Sequence, residues 1–429
     1  MNLANKVLIA LVLGIAAGGA LNVSGLTENT FIDENIINGI FLLGGKIFVN
    51  ALKMLVVPLI LFSLIPGIVG IGDIRLLGKI GTKSFLLYIG TTAIAISTAI
   101  TLAVAFGIGT EMTIPFEPNF EGKQAASSTL DILIGIVPAN IFEAMVEAKM
   151  LSIIFFSIFF GIALLSISKE APELVSFIEQ VSKVIMRMVD IVMWFAPYAV
   201  FCLVAKAIAD LGFDLVQQLA GYFIVVMIAL FFHAFVTQMA ILKIFTGLDI
   251  RMFLNKMRNA QLFAFSTSSS GATIPVTLRT VQQRLGVDRA VSSFSVPFGA
   301  TINMDGTAIM QGVATVFVAN LYGVELGLIG YVTVVVTAVL ASIGTAAVPS
   351  VGLVMLTLVF NQVGLPVEAI GIIIGVDRLI DMTRTAVNVT GDGVVTVIVA
   401  KSEGRINLDV YNDPNAGLVE EIHIDEQAA

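Results

Sequence analysis

A chain of 429 residues that is 57% hydrophobic and only 13% charged, with a mean hydropathy of +0.97, lies far from the composition of soluble domains. The formal net charge of −8 gives no basis for a nucleic-acid partner, and one cysteine, Cys202, leaves no disulfide framework or cysteine metal site. His233 and His423 are the only histidines, which removes most metal and histidine chemistry, and the membrane is the expected solvent.

Apolar stretches that can span, at about 20 residues of helix each, recur near 4–21, 36–70, 83–109, 129–167, 180–208, 216–246, 290–320 and 366–400. Several exceed one span and should tilt or break. The first, from Lys6 to Leu21 with small residues Ala17 to Ala20, has the look of a signal peptide but reads as a retained helix. Gly14 and Gly18 within it have the spacing that permits close helix packing. Basic residues sort the connections: Arg75, Lys79 and Lys83; Lys169, Lys183 and Arg187; Lys243, Arg251, Lys256 and Arg258; Lys401 and Arg405. These segments are expected to face the cytoplasm, whereas Glu28, Asp33 and Glu34, and then Glu111, Glu117 and Glu121, lie outside. The amino terminus is therefore inside. The acidic end, with Glu420, Glu421, Asp425 and Glu426, reads as a solvated and dispensable tail.

Two places refuse a count of simple spans. Segment 259–278 is apolar but broken by Ser266, Thr267, Ser268, Ser269, Ser270, Gly271 and Pro275, with Lys256 and Arg258 before it and Arg279, Arg284 and Arg289 after it. Both ends should be cytoplasmic, and about 20 residues at ~1.5 Å each are too few to cross twice, so a re-entrant hairpin is expected. Segment 329–364 is broken at Ser342, Gly344, Thr345, Pro349, Ser350 and Gly352, is flanked by Glu325 and Glu368, and reads as a hairpin entering from outside. Irregular backbone at membrane depth must line a cavity or be covered by protein, so two opposed hairpins should meet around a site.

Asp305 sits mid-span in Asn303-Met304-Asp305-Gly306-Thr307, where a charge costs ~2.5–3.5 kcal/mol on insertion scales. Thr301, Asn303, Gly306 and Thr307 suggest an unwound helix offering oxygens to a hard cation such as sodium, or else a structural polar kink. Asp377, Asp381, Arg384, Asn388 and Asp392 follow at spacings of four, three, four and four. At 100° per residue they share about 80° of arc, one polar stripe that faces a wet cavity or a partner, or glues helices by ion pairs. The acids Asp305, Asp377, Asp381 and Asp392 outnumber Arg378 and Arg384 by two. Bound cations or retained protons would relieve that imbalance.

Enzymatic readings fare poorly. Asp392 is preceded by Val389-Thr390-Gly391 and not by the GxGD of an intramembrane aspartyl protease, and Ser269 lacks GxSxG context and a histidine base. An ion channel is the more serious rival, since polar stripes also line pores.

Ser268-Ser269-Ser270-Gly271, Asn303-Met304-Asp305-Gly306-Thr307, and Asp381-Met382-Thr383-Arg384-Thr385 leading to Asn388-Val389-Thr390-Gly391-Asp392 resemble the dicarboxylate/amino acid:cation symporters, the glutamate-transporter family, over nearly the whole chain. The resemblance implies an all-α polytopic membrane protein with eight transmembrane helices and two opposed re-entrant hairpins, assembled as a homotrimer with an elevator-like motion. It divides the chain into scaffold helices 1–2 (1–75), helix 3 of the transport unit (76–110), scaffold helices 4–5 (125–210), helix 6 (211–250), hairpin one (251–286), helix 7 (287–320), hairpin two (328–365), helix 8 (366–402) and a cytoplasmic tail (403–429). By position it places Asp381 on the substrate amine, Arg384 on its side-chain carboxylate, and Asn388 with the backbone near Ser269 and Ser270 on its α-carboxylate, completed by Thr307, Val348, Gly352 and Thr385. For sodium it implies one site from Gly299, Asn303, Asn388 and Asp392, a second from Thr301, Ser342, Ile343 and Thr345, and a third from Tyr88, Thr91, Thr92, Asn303 and Asp305.

Some prokaryotic relatives carry an arginine just before the serines of hairpin one, where this chain has Thr267. Arg378, beside Asp377, is expected to replace it by reaching the hairpin from the last helix, in a gating or coupling role. Arg384 beside Asp381 favours aspartate or glutamate over a C4-dicarboxylate or a neutral or sulfur-containing amino acid. The oxygen-rich sites favour sodium, with proton coupling the alternative. The expected setting is the inner (cytoplasmic) membrane, in contact with lipid, with both termini cytoplasmic.

Overall fold

A computed structural model describes residues 3–69, 80–110, 137–147, 149–212, 214–342 and 351–417, and every regular element among these is helical. The first helix, α1 (Leu3–Val23), is followed by a π-helical segment, Asp33–Phe41, that runs directly into α2 (Leu42–Val69). Then come α3 (Thr82–Ala105), α4 (Met150–Ser166), α5 (Pro172–Trp194) and α6 (Ala196–Leu211). Helix α7 (Asp214–Phe232) passes through a π turn, His233–Thr237, into α8 (Gln238–Thr246).

Segment 168–187, expected as a basic loop, is helical from Pro172 onward. Proline suits the first position of a helix, where its missing N–H has no partner to lose. One face then buries Ile178 and Ile185 while Lys183 and Arg187 stay exposed, so the bases lie on a helix surface and do not interrupt it. The next break follows Trp194, because Pro197 cannot donate to the preceding turn.

Helices α1 and α6 pack closely. A Cβ built on Gly18 would lie 2.4 Å from the carbonyl oxygen of Ala205, and one on Gly14 would lie 3.1 Å from that of Phe201. The small-residue spacing therefore lets two backbones touch. Helix α2 packs on α4 and α5.

The second half of the chain holds the broken elements. Helix α9 (Ile250–Thr267) turns at Ser268–Ser269 into α10 (Ser270–Arg279), which continues as a π segment, Thr280–Arg284, and the two legs pack together. Ser268 closes α9 in the left-handed region at φ 51, its N–H donating to Ala264, and Ser269 opens α10 by accepting from the N–H of Ala272 at 3.1 Å. Consecutive serines thus make a two-residue turn because one tolerates the reversal and the next caps the new helix. The element is longer than the apolar run 259–278, since Arg251, Lys256, Arg258 and Arg279 fall inside its helices.

Helix α11 (Arg289–Ile302) and α12 (Asp305–Leu321) are separated at Asn303–Met304. The unwinding expected around Asp305 lies just before it, and Asp305 itself begins the new helix. Helices α13 (Gly327–Ser342) and α14 (Val351–Gln362) pack on each other, with 343–350 outside the described residues. The long α15 (Ile370–Ser402) is the axis of this half and touches α7 to α12 and α14. A short α16 (Leu408–Asn412) ends the described chain.

Nearly every residue of α12 and much of α15 are buried, whereas Leu13, Leu86, Phe159, Phe177, Phe231, Phe235, Ile244 and Leu328 stand exposed. Polar helices at the centre and large apolar side chains outside suit a lipid solvent. Lys83 pairs with Glu403, Asp288 with Arg405, and Tyr411 with Asp249, so the ends of α3, α9, α11 and α15 meet at one end of the molecule.

Candidate functional site

The stripe on α15 separates into two clusters with different electrostatics. In the first, Arg384 is 2% exposed and lies between two carboxylates. Its Nη2 is 2.9 Å and its Nε 3.0 Å from Oδ1 of Asp381, and Nη1 is 3.3 Å from Oδ1 of Asp377. Arg378, partly exposed, reaches Oδ2 of Asp381 at 3.5 Å. Two acids and two guanidinium groups balance. Thr385 donates to the Asp381 carbonyl at 2.7 Å, a bond within the helix.

Gly352, at the start of α14, lies against this group: a Cβ there would be 2.6 Å from Nη1 of Arg384. Gly306 on α12 meets the Arg384 backbone as closely, 2.6 Å from its carbonyl oxygen by the same construction. Three elements therefore converge on one arginine, α14 on its guanidinium and α12 on its backbone. Arg378 is directed to Asp381 in this arrangement, and no hydrogen bond from it to hairpin one is among those described.

The second cluster holds the surplus negative charge. Asn303, in the break between α11 and α12, donates from Nδ2 to the Asn388 carbonyl at 2.8 Å and to Oδ1 of Asp392 at 2.9 Å. Gly299 belongs here too, since a Cβ on it would lie 2.5 Å from Oδ1 of Asp392 and 2.4 Å from the Tyr88 hydroxyl. Oδ1 of Asn303 is buried without a hydrogen-bond partner. Asn388 ties the two clusters together: its Oδ1 accepts from the Gly306 N–H at 2.7 Å and its Nδ2 faces Sδ of Met304 at 3.5 Å. Thr307 is buried and faces the same sulfur at 3.8 Å.

Asp305 is enclosed on all sides. Oδ1 accepts from Thr92 at 2.6 Å and Thr91 at 3.3 Å, while Oδ2 lies 2.9 Å from Nε2 of His233 and 3.4 Å from Nε2 of Gln238. Gln238 also donates to the Val387 carbonyl at 3.2 Å. A carboxyl group at 0% exposure thereby finds polar partners for both of its oxygens. Tyr88 is also buried and donates to the Ser295 carbonyl at 3.1 Å.

His233 and Gln238 join this cluster as residues that the sequence reading did not single out for the site. The only signal available was a histidine inside the apolar run 216–246. The π turn His233–Thr237 is what aims it inward, by shifting the register of the helix.

Thr301 and Ser342 hydrogen-bond within their own helices, to Phe298 at 2.8 Å and to Val339 at 2.7 Å. Val348, Ile343 and Thr345 lie outside the described residues. Ser269 and Ser270 sit at the tip of hairpin one, whose legs both pack on α15, and Gln261 fixes the first leg by donating to Thr390 at 2.9 Å.

A family model described as the sodium:dicarboxylate symporter family matches residues 3–402. The chain is 33% identical over 417 residues to a proton/glutamate-aspartate symporter of Escherichia coli K12, covering 95% of this chain and 94% of that protein. It is 30% identical to a proton/sodium-glutamate symport protein of Geobacillus stearothermophilus, over 95% of this chain and 96% of the relative. An excitatory amino acid transporter of Caenorhabditis elegans is 36% identical over 403 residues, 83% of this chain and 80% of its own length. The chain therefore belongs to the sodium:dicarboxylate symporter family, and is a membrane transporter and not an enzyme.

Proposed function

We propose that the protein is a secondary active symporter that takes up an acidic amino acid, aspartate or glutamate, together with sodium ions. The observation that carries this reading is Arg384, buried beneath Gly352 and paired with Asp381. An amino acid with a side-chain carboxylate offers that group to the guanidinium and its ammonium to Asp381. One internal ion pair is exchanged for two with the substrate, whose α-carboxylate adds one net negative charge that a co-transported cation offsets. A C4-dicarboxylate would leave Asp381 facing no amine, and a neutral or sulfur-containing amino acid would leave Arg384 without its second carboxylate.

Sodium is assigned to the neighbourhood of Asp305 and Asp392, where carboxylate, amide and hydroxyl oxygens gather and where the surplus charge lies. We read Ser269, Ser270, Thr307, Val348, Gly352, Asp381, Arg384, Thr385 and Asn388 as the substrate site. The eight-helix arrangement with two re-entrant hairpins, the homotrimer, the elevator motion and cytoplasmic termini in an inner membrane are part of the same reading, supported by family membership. Proton coupling is the second reading, favoured by relatives named as proton symporters.

The deciding experiment is uptake into proteoliposomes of labelled aspartate, glutamate, a C4-dicarboxylate and a neutral amino acid, driven separately by a sodium and a proton gradient. Accumulation of an acidic amino acid under the sodium gradient is expected. Uptake driven by the proton gradient alone would replace sodium by protons, and a steady ion current without uptake would make the protein a channel.

A further inference from the structure

The α7 helix and the π turn that follows it bring two polar side chains into the core of this half. Tyr222 and His233 lie about 20° apart around the axis at 100° per residue, and so share one face. His233 meets Asp305, whereas the Tyr222 hydroxyl, on a side chain that is 0% exposed, has no hydrogen-bond partner among the described residues. A buried tyrosine normally finds an acceptor for its O–H. Packing does not explain the hydroxyl. The ring lies against that of Phe317 on α12, with centroids 5.2 Å apart, and phenylalanine would make the same contact.

The charged groups that act on this hydroxyl are Asp377 and Arg384, on α15, against which α7 packs. Asp377 is short of donors. It is 3% exposed, and among the described residues its side chain accepts one hydrogen bond, the 3.3 Å contact from Nη1 of Arg384. A carboxylate has room for several. The α14 helix closes over the guanidinium at Gly352, so a carboxylate arriving at Nη1 competes with Asp377 for that nitrogen and repels it. Asp377 would then be a buried charge without a donor, beside a buried donor without an acceptor.

We propose that Tyr222 is a positioning residue for acidic substrates, whose hydroxyl donates to Asp377 when a substrate carboxylate claims Nη1 of Arg384. A neutral substrate leaves the pair of Arg384 and Asp377 intact and makes no use of the hydroxyl. This role rests on the proposed function, in which Arg384 receives a side-chain carboxylate.

Equilibrium binding of labelled aspartate to the full-length protein tests it. Tyr222→Phe is expected to weaken binding by about ten-fold, the scale of one hydrogen bond to a charged group. The unfolding midpoint of the substrate-free protein should not move, because the hydroxyl has no partner in that state. In proteoliposomes KM should rise in step with the lost affinity while the maximal rate stays within about two-fold. In an Asp377→Ala background the same substitution should change affinity by less than about two-fold, since the two residues act as a pair. Unchanged affinity in Tyr222→Phe, or an equal loss in both backgrounds, would overturn this role. A lowered substrate-free midpoint or a failure to fold would also overturn it, by making the hydroxyl a support of the fold. Should Asp377→Ala bind no aspartate, the affinity and midpoint of Tyr222→Phe decide. Absence of acidic amino-acid binding by the unsubstituted protein is a separate result, which removes the proposed function and the role of Tyr222 with it.

Discussion

Nε2 of His233 lies 2.9 Å from Oδ2 of Asp305, and both side chains are buried. His233→Ala leaves Oδ2 with only the longer contact from Gln238. A stability loss of about 1.5–3 kcal/mol is expected, the scale of a hydrogen bond to a charged group. Thermal unfolding in detergent checks it, and an unchanged midpoint would show the contact to be dispensable.

Arg384→Cys removes the partner of Asp377 and Asp381 together. Losing one member of a buried hydrogen-bonded charge pair costs about 2–5 kcal/mol, so affinity for aspartate or glutamate should fall by roughly a hundred-fold or more. Neutral substrates should then compete better. Wild-type uptake of both acidic amino acids by this variant would sink the assignment.

Gly352→Ala tests the approach of α14 to the guanidinium. The added methyl would fall 2.6 Å from Nη1 of Arg384, so the arginine must shift. Such overpacking costs about 1–3 kcal/mol, and substrate affinity should drop by about ten-fold. Equilibrium binding of labelled aspartate measures it directly.

Arg378 is the more exposed of the two arginines and touches Asp381 at 3.5 Å, longer than the contacts of Arg384. Arg378→Ala is therefore expected to change the turnover rate by more than it changes affinity. Equal losses in KM and maximal rate would make Arg378 a direct ligand.

Gly18→Leu addresses packing alone. With the Ala205 carbonyl 2.4 Å from the position of a Cβ, α1 and α6 must separate, and a destabilisation of about 1–3 kcal/mol is expected with little effect on KM. Comparing unfolding midpoints with uptake kinetics distinguishes the two.

Much of this was legible from sequence where a local pattern carries the structure. The polar stripe from Asp377 to Asp392 follows from helical period, and the turn at Ser268–Ser269 from consecutive caps in an apolar run. The Asn303–Met304 break followed from polar residues crowded around a mid-span acid. The missed features depend on distant contacts or on ambiguous charge. His233 meets Asp305 across 72 positions, and Lys256 meets Tyr411 across 155, and no local pattern encodes either pair. Lys183 and Arg187 suggested a loop because a basic residue reads alike on a helix surface and in a connection.

The break at Asn303–Met304 has one further consequence. It sets two half-helices end to end, so that the negative pole of α11's dipole and the positive pole of α12's face the same point, with Asp305 in the first turn of α12. The negative pole attracts a cation, and the positive pole steadies the carboxylate whether or not a cation is there. Together with Thr91, Thr92, His233 and Gln238, this surrounds Asp305 with polar groups that the protein itself supplies.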